Sequence, residues 1–160
     1  MKITKEVLKE LIEYISLHTA IEIISENDCL DIVCEKVHSY EIESFIDENI
    51  KPSFNEVLFN FINEKGLNDL QVYKKAGIDR RHFSKIRSRF DYTTKKNTVI
   101  SLALAMELDK AETSKLLKAA GYSLSENSTY DLVIMFCIEK KIYNIHDVNL
   151  ALDHFSLKIL

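Results

Sequence analysis

The sequence predicts an all-α protein, and three observations support this prediction. Glycine and proline are scarce, with three glycines and one proline in 160 residues. The chain shows no sustained alternation of apolar and polar residues of the kind that is typical of half-buried strands. Capping residues precede apolar-periodic runs, and Gly66, Gly77 and Gly121 follow such runs, as expected for residues just past the ends of helices.

Residues 1–51 are predicted to form an acidic helical segment. Apolar residues at helical spacing predict a helix over Thr4–His18, and two more helices are expected over Ser25–Val37 and Ser39–Glu48. Thr19–Ile24 has the composition of a strand, but a lone strand would have no partner. Five basic and twelve acidic residues give this segment a net charge of −7, which suggests a protein partner of its own.

After Pro52, seven helices are predicted from their start and end signals. Ser53 and Glu56 have the spacing of a capping box, in which each side chain accepts a hydrogen bond from the backbone N–H of the other residue. Similar start signals are Asn68/Gln71, Asp79, Asp109/Glu112, Ser128/Asp131 and Asn144/Asp147. The predicted helices lie near 54–65, 69–76, 80–89, 97–108, 110–120, 129–140 and 145–155. We group them into a helical bundle over 53–121 and C-terminal helices over 122–160, which pack on the bundle or at a dimer interface.

A basic stretch from Gly77 to Lys96 contrasts with a chain whose formal net charge is −4. It contains seven basic and two acidic residues, a net charge of +5. Two short predicted helices meet at Ala76-Gly77-Ile78, and Asp79 opens the second of them. This is the spacing of a helix-turn-helix, in which glycine adopts a backbone conformation that other residues resist.

The second helix of this motif has two distinct faces. At about 100° per residue, Phe83 and Ile86 define an inner face that Phe90 continues. The opposite face carries the side chains expected to read base edges in a major groove, namely Arg81, Ser84, Lys85 and Ser88. Phosphate contacts are expected from Arg89, Thr94, Lys95 and Lys96. Arg87 lies nearer the core and is expected to pair with a carboxylate such as Glu56 or Glu64.

The segment from Ser53 to Gly121 resembles the lambda-repressor-like (Xre-type) DNA-binding family. The residues that match buried positions of that family are Val72, Ala76, Gly77, Ile78, Phe83 and Ile86. The resemblance implies a non-enzymatic transcriptional regulator that binds double-stranded DNA as a homodimer, with RNA as the alternative nucleic acid. Tyr73 departs from the family pattern, since a small residue usually stands four positions before the turn glycine. A tyrosine there is expected to push the two helices apart or to tilt them.

A narrower resemblance is to a bacterial helical module that is sometimes attached to other domains and has no settled activity. It is carried by "YKKA", "IDR", "FSKIRS" and "DY" between Tyr73 and Tyr92, and by the stretches Leu102–Leu108 and Leu116–Tyr122. Tyr73 belongs to this narrower pattern. The alternative function is therefore an adaptor or inhibitor, in which the helix-turn-helix is a scaffold and its basic face docks a protein.

We expect neither catalysis nor a bound metal or cofactor. The five histidines lack metal-ligand spacing, and no nucleophile elbow or phosphate-binding glycine loop occurs. Cys29, Cys34 and His38 lack a fourth ligand and a CxxC spacing. The odd number of cysteines, which includes Cys137, favours a reduced compartment, and no apolar run reaches the length of a membrane span, so cytoplasm is expected. The apolar stretch Tyr130–Tyr143 is expected either at the centre of the fold or against a second subunit.

Overall fold

The computed structural model describes residues 30–89 and 92–160, and the side chains of residues 40–89 and 92–160. Every regular element among these residues is an α-helix, which confirms the predicted all-α class. The chain divides after Ile50 into two units, Met1–Ile50 and Lys51–Leu160. Phe90, which was expected to continue the inner face, lies outside the described residues.

In the first unit the structure describes one helix, α1, which spans Leu30–Asn49. The prediction of two separate helices, Ser25–Val37 and Ser39–Glu48, is wrong at their junction, because α1 runs through it without a break. Neither glycine nor proline occurs there, and a single serine does not end a helix whose backbone hydrogen bonds continue on both sides. The predictions for Thr4–His18 and Thr19–Ile24 fall outside the described residues.

The second unit contains seven helices, and each lies where the sequence predicts it, within a few residues. They are α2 (Phe54–Glu64), α3 (Asp69–Lys75), α4 (Arg80–Ser88), α5 (Lys96–Ala105), α6 (Lys110–Ala119), α7 (Thr129–Glu139) and α8 (Ile145–His154). The reciprocal capping boxes Ser53/Glu56, Asn68/Gln71 and Asp109/Glu112 are all present. Local sequence therefore determines where these helices begin.

Two predicted capping pairs form only in part. The Ser128 side chain accepts from the Asp131 N–H as predicted, but the Asp131 carboxylate accepts from Lys96 and from the Ser125 N–H instead of closing the box. The Asn144 side chain accepts from the His146 N–H. Both serve as N-caps, and the acidic residue three positions later does not complete a box.

Six of the seven helices of this unit end in the same way, with a residue of positive φ and two backbone hydrogen bonds that close the last turn. The sequence signal for three of these ends is glycine, as in Gly77, where φ is +65°. The other three ends use Glu107, Lys141 and Ser156, with φ between 54° and 58°. Without glycine, these positions carry no sequence signal for the left-handed conformation.

The core of this unit is built around α5, on which every residue from Val99 to Ala105 is buried. Helices α3, α6 and α8 pack on α5, while α2 packs on α6 and α7 packs on α6 and α8. The C-terminal helices thus belong to the same unit as the helix-turn-helix. The chain end docks on the core through Leu157 and Leu160, and the Leu160 N–H donates to Asn149 Oδ1 at 2.9 Å.

Candidate nucleic-acid interface

The candidate site is built on the turn between α3 and α4. Helix α3 ends with Gly77 in the left-handed region, while the N–H groups of Gly77 and Ile78 donate to the carbonyls of Lys74 and Tyr73 at 3.2 and 2.9 Å. Asp79 then caps α4 by accepting from the Arg81 N–H at 2.8 Å. Gly77 thus has the left-handed conformation expected of the turn glycine, and Asp79 is the N-cap residue of α4.

Helix α4 is attached to the unit by its inner face. Phe83 and Ile86 are buried, as is Val72 on α3, which shares their hydrophobic cluster. Burying two large apolar side chains contributes about 3–6 kcal/mol in transfer free energy. Burial on one side only is what allows so short and strongly charged a helix to form.

The outer face of α4 carries the four side chains predicted to read bases. Arg81, Ser84, Lys85 and Ser88 are all exposed. Helix α4 contains no acidic residue, and among the described residues none of these four side chains has an ion-pair partner. The predicted residues therefore share one accessible, positively charged face.

Arg87 lies beside this face but is occupied by the protein itself. Its guanidinium forms an ion pair with Asp69 on α3 and lies 5.1 Å from the centroid of the Phe59 ring on α2. The prediction that Arg87 pairs with Glu56 or Glu64 is wrong. Asp69, the first residue of α3, is closer because α3 and α4 pack side by side.

Tyr73 is accommodated at the edge of this contact. Its ring is half-buried and lies 5.8 Å from the Phe83 ring with a 48° tilt, while Phe59 meets Phe83 edge-to-face at 6.3 Å. The tyrosine thus extends an aromatic cluster that joins α2, α3 and α4. Sequence reasoning missed this cluster, although aromatic residues on three consecutive helices are a detectable signal.

The residues predicted to contact phosphates fall into two groups. Arg89 and Lys95 are exposed, and the Arg89 carbonyl accepts from Asn55 Nδ2 at 2.9 Å. Lys95 is the N-cap residue of α5 and provides no side-chain cap. The cations of Arg89, which directly follows α4, and of Lys95, which directly precedes α5, are thus accessible.

Lys96 and Thr94 require a correction. Lys96 Nζ lies 2.7 Å from Asp131 Oδ2, and the Asp131 side chain is only 3% exposed. Thr94 is buried, so its hydroxyl does not reach the surface. Neither residue is therefore an accessible phosphate contact, because the charge of Lys96 is paired with Asp131 and Thr94 lies inside the fold.

The Lys96–Asp131 pair joins the first turn of α5 to the first turn of α7. The carboxylate also accepts from the Ser125 N–H at 2.9 Å. Burial, together with the negative charge of Asp131, raises the pKa of the adjacent Tyr130 to about 12. Lys96 is thus the counter-ion of a buried carboxylate, whose Oδ2 accepts both hydrogen bonds while Oδ1 is buried without a hydrogen-bond partner among the described residues.

A groove and a cavity lie on the surface of this unit, and the groove reaches α4. A groove of about 510 Å³ runs along α2 to Arg87 and is lined by Pro52, Asn55, Glu56, Phe59, Asn60 and Arg87. A cavity of about 230 Å³ lies where α2, α3 and α5 end, and it is lined by Lys65, Leu67, Lys75, Ala105, Met106 and Glu107.

The described part of the chain contains neither a cluster of metal-ligating side chains nor a membrane-spanning helix. Within residues 40–89 and 92–160, no three His, Cys, Asp or Glu side chains come together in a way that could hold a metal ion. The side chains of Cys29, Cys34 and His38 lie outside that range. No described helix is long and apolar enough to cross a membrane.

The resemblance to the Xre-type family remains a prediction. The chain matches no protein-family model, no curated protein and no solved structure. Its function is therefore argued from the residues of the α4 face and from their surroundings.

Proposed function

We propose that the unit Lys51–Leu160 binds nucleic acid, with double-stranded DNA preferred, through the outer face of α4, and that the protein is a helix-turn-helix transcriptional regulator. The observation that carries this proposal is the accessible and unpaired set of basic and hydroxyl side chains opposite Phe83 and Ile86. A B-form major groove is wide enough to admit an α-helix. Phosphates supply the negative charge that this face lacks.

The proposal divides the residues by role. Arg81 and Lys85 donate to guanine O6 and N7, and Ser84 and Ser88 serve as smaller polar contacts. Arg89 and Lys95 contact phosphates at the edge of the face, and the first-turn N–H groups of α5 point toward the same region as Lys95 without a side-chain cap. Base contacts supply specificity, and phosphate contacts supply affinity.

The test is a titration of fluorescent random-sequence duplex DNA with the intact protein at two salt concentrations. The informative variant is Arg81→Glu/Lys85→Glu, which reverses two charges on the outer face. The matched control is Lys118→Glu/Lys158→Glu, which makes the same charge change at two exposed lysines on α6 and near the C-terminus. Single-stranded RNA and double-stranded RNA serve as competitors.

Salt-sensitive binding that is lost in the α4 variant and retained in the control is the expected result. Equal losses in both variants would reduce the effect to net charge and reject the assignment to α4. Absence of binding by the wild type at low salt would reject the function. Stronger competition by RNA than by unlabelled duplex DNA would retain the α4 face and change the ligand.

We propose further that the regulator is a homodimer that uses the outer side of α7. Leu132 and Phe136 are exposed one turn apart on this helix, whereas Val133 and Ile134 are buried. Pairing two copies of α7 antiparallel sets Leu132 of one copy against Phe136 of the other, and two copies of α4 then read two half-sites.

Sedimentation velocity over a range of concentrations tests the dimer. Leu132→Glu should shift the protein toward monomer. The control is Leu70→Glu on α3, which should leave the oligomeric state unchanged; the two leucines are matched in exposure, at 45% and 48%. A monomeric wild type at every concentration would reject the dimer and leave the assignment of α4 unaffected.

A second candidate function is a protein–protein adaptor, and α1 provides the observation that favours it. The last turns of α1 and the residue that follows it expose apolar side chains among acidic ones: Tyr40, Ile42, Phe45, Ile46 and Ile50. Residues 40–50 contain four acidic and no basic residues. An acidic helix with an exposed apolar stripe suits a basic, apolar groove on a protein partner.

A double variant of α1 separates the two candidate functions. If the protein is an adaptor, Phe45→Ser/Ile46→Ser should abolish capture of a specific partner, and the wild type should not bind DNA. If it is a regulator, the same α1 variant should retain salt-sensitive DNA binding. Retention of both partner capture and DNA binding in this variant would show that Phe45 and Ile46 are needed for neither function.

A further inference from the structure

Two contacts converge on Arg87, which is the one basic residue of α4 that has an ion-pair partner among the described residues. Its guanidinium pairs with Asp69 at the start of α3 and lies over the Phe59 ring of α2. Phe59 and Tyr73 in turn pack on Phe83, the buried anchor of α4. One side chain thus links α4 to both helices that it packs beside.

These contacts matter for the direction of α4. The helix has nine residues, and its buried attachment consists of Phe83 and Ile86 on one stripe. Two anchors on one stripe resist separation of the helix but resist rotation about that stripe only weakly. The Asp69 carboxylate and the Phe59 ring hold Arg87 from two other helices and therefore oppose this rotation. A planar guanidinium suits both contacts, since its N–H groups donate to a carboxylate at its edge while its face stacks on an aromatic ring.

We propose that Asp69 and Arg87 are a positioning pair for the α4 face: they set the angle at which Arg81 and Lys85 are presented, and Arg87 itself does not contact nucleic acid. This inference rests on the proposed nucleic-acid function. It assigns a role to a basic residue that charge alone would place among the phosphate contacts. Arg87 is 60% exposed and Asp69 is 32% exposed, so the pair adds little to stability, and its effect lies in orientation.

Asp69→Asn gives a test in which two explanations differ in sign. The substitution removes a negative charge close to the basic face and leaves every cation in place. If only charge mattered, the affinity for duplex DNA would rise. If positioning matters, the affinity should fall by about fivefold or more, which corresponds to the loss of one base contact. The probe is a duplex selected by the wild-type chain from a random pool, because a preferred sequence depends most on correct presentation.

The control is Glu64→Gln, which makes the same charge change at an exposed residue of α2 that has no ion-pair partner among the described residues. Its affinity should be unchanged or slightly higher. Asp69→Glu keeps the carboxylate and should retain most of the binding. In an Arg87→Met background, Asp69→Asn should cause no further loss, because Asp69 acts through Arg87. Circular dichroism and thermal unfolding verify that each variant is folded.

Equal or tighter binding by a folded Asp69→Asn variant would overturn the positioning role and leave the nucleic-acid function intact. A further loss on adding Asp69→Asn to Arg87→Met would also overturn it, since Asp69 would then act independently. Failure of the wild type to bind any duplex would reject the proposed function, and this inference with it. The two failures are therefore distinguished by the wild-type titration.

Discussion

Two groups of basic side chains in the Lys51–Leu160 unit differ in what they contact. Four lysines pair with carboxylates that lie at least 29 residues away in the sequence: Lys65 with Glu112, Lys75 with Glu107, Lys96 with Asp131 and Lys110 with Glu139. On α4, Arg80, Arg81 and Lys85 have no such partner among the described residues. The first group joins distant parts of the chain through ion pairs, whereas the second is exposed and unpaired within the described part of the chain.

This difference shows where a polyanion would bind. A paired cation contributes little attraction to an incoming phosphate, because its charge is already neutralised at short range. An unpaired cluster on one face produces a local positive potential even in a chain of net negative charge. The total charge of −4 is therefore a poor guide to the partner, and the distribution of unpaired charge is a better one.

The largest expected effect separates two adjacent lysines. Lys96→Ala should lower the free energy of unfolding by about 2–3 kcal/mol, because it leaves the buried Asp131 carboxylate without its counter-ion. A fully buried pair would cost about 3–5 kcal/mol, and the 28% exposure of Lys96 reduces the penalty. Lys95→Ala should stay within about 0.5 kcal/mol of the wild type, since Lys95 is exposed. Urea unfolding of both variants measures the difference.

Similar losses in the two variants would break the proposed distinction between a structural and an accessible lysine. A loss below about 1 kcal/mol for Lys96→Ala would place the Lys96–Asp131 contact among ordinary surface pairs. In that case Lys96 would return to the candidate phosphate contacts.

The next effect concerns the unpaired group. Arg81→Ala should cost about 1–3 kcal/mol of affinity for a selected duplex and much less for random duplex, because it removes a contact to one base. Its stability should be unchanged. The control is Lys118→Ala, which removes an exposed lysine from α6. An equal loss for both duplexes would make Arg81 a phosphate contact.

Much of the fold could be predicted because its signals are local. A capping box lies within four residues, so the starts of α2, α3 and α6 could be identified from short stretches of sequence. The outer face of α4 follows from the 100° period once that helix is placed. The ends at Glu107, Lys141 and Ser156 carry no glycine, so the residue type does not indicate their positive φ.

The parts of the site that could not be predicted depend on contacts between distant residues. Lys96 and Asp131 are 35 residues apart, and nothing near Lys96 in the sequence indicates that its charge is occupied. Burial of Thr94 has the same origin. Arg87 was expected to find a carboxylate, but the choice of Asp69 over Glu56 or Glu64 depends on how α3 and α4 pack. Pattern thus predicts faces, while pairing requires the assembled unit.

A smaller effect tests the edge of the α4 face. Lys95→Ala should weaken binding to all duplex sequences alike and reduce the slope of log K against log salt by about one unit. The reason is that a phosphate contact requires charge and carries no sequence information. Titration at four or more salt concentrations provides the slope, with Lys118→Ala as the control. An unchanged slope would place Lys95 outside the interface.

The smallest effect concerns the paired group at the surface. A hydrogen bond from Lys110 Nζ, together with the charge of Lys110, lowers the pKa of Glu139 below its ordinary value of 4.5. A pKa that is lower in the folded than in the unfolded state stabilises the fold at pH values above the unfolded-state pKa. This stabilisation is lost as the pH falls through the folded-state pKa. Glu139→Gln should therefore lower the melting temperature slightly at neutral pH, and this difference should shrink as the pH falls below 4.5. A constant difference across this range would mean that the substitution acts through packing. Either result bounds what the exposed Lys110–Glu139 pair contributes to the stability of this unit.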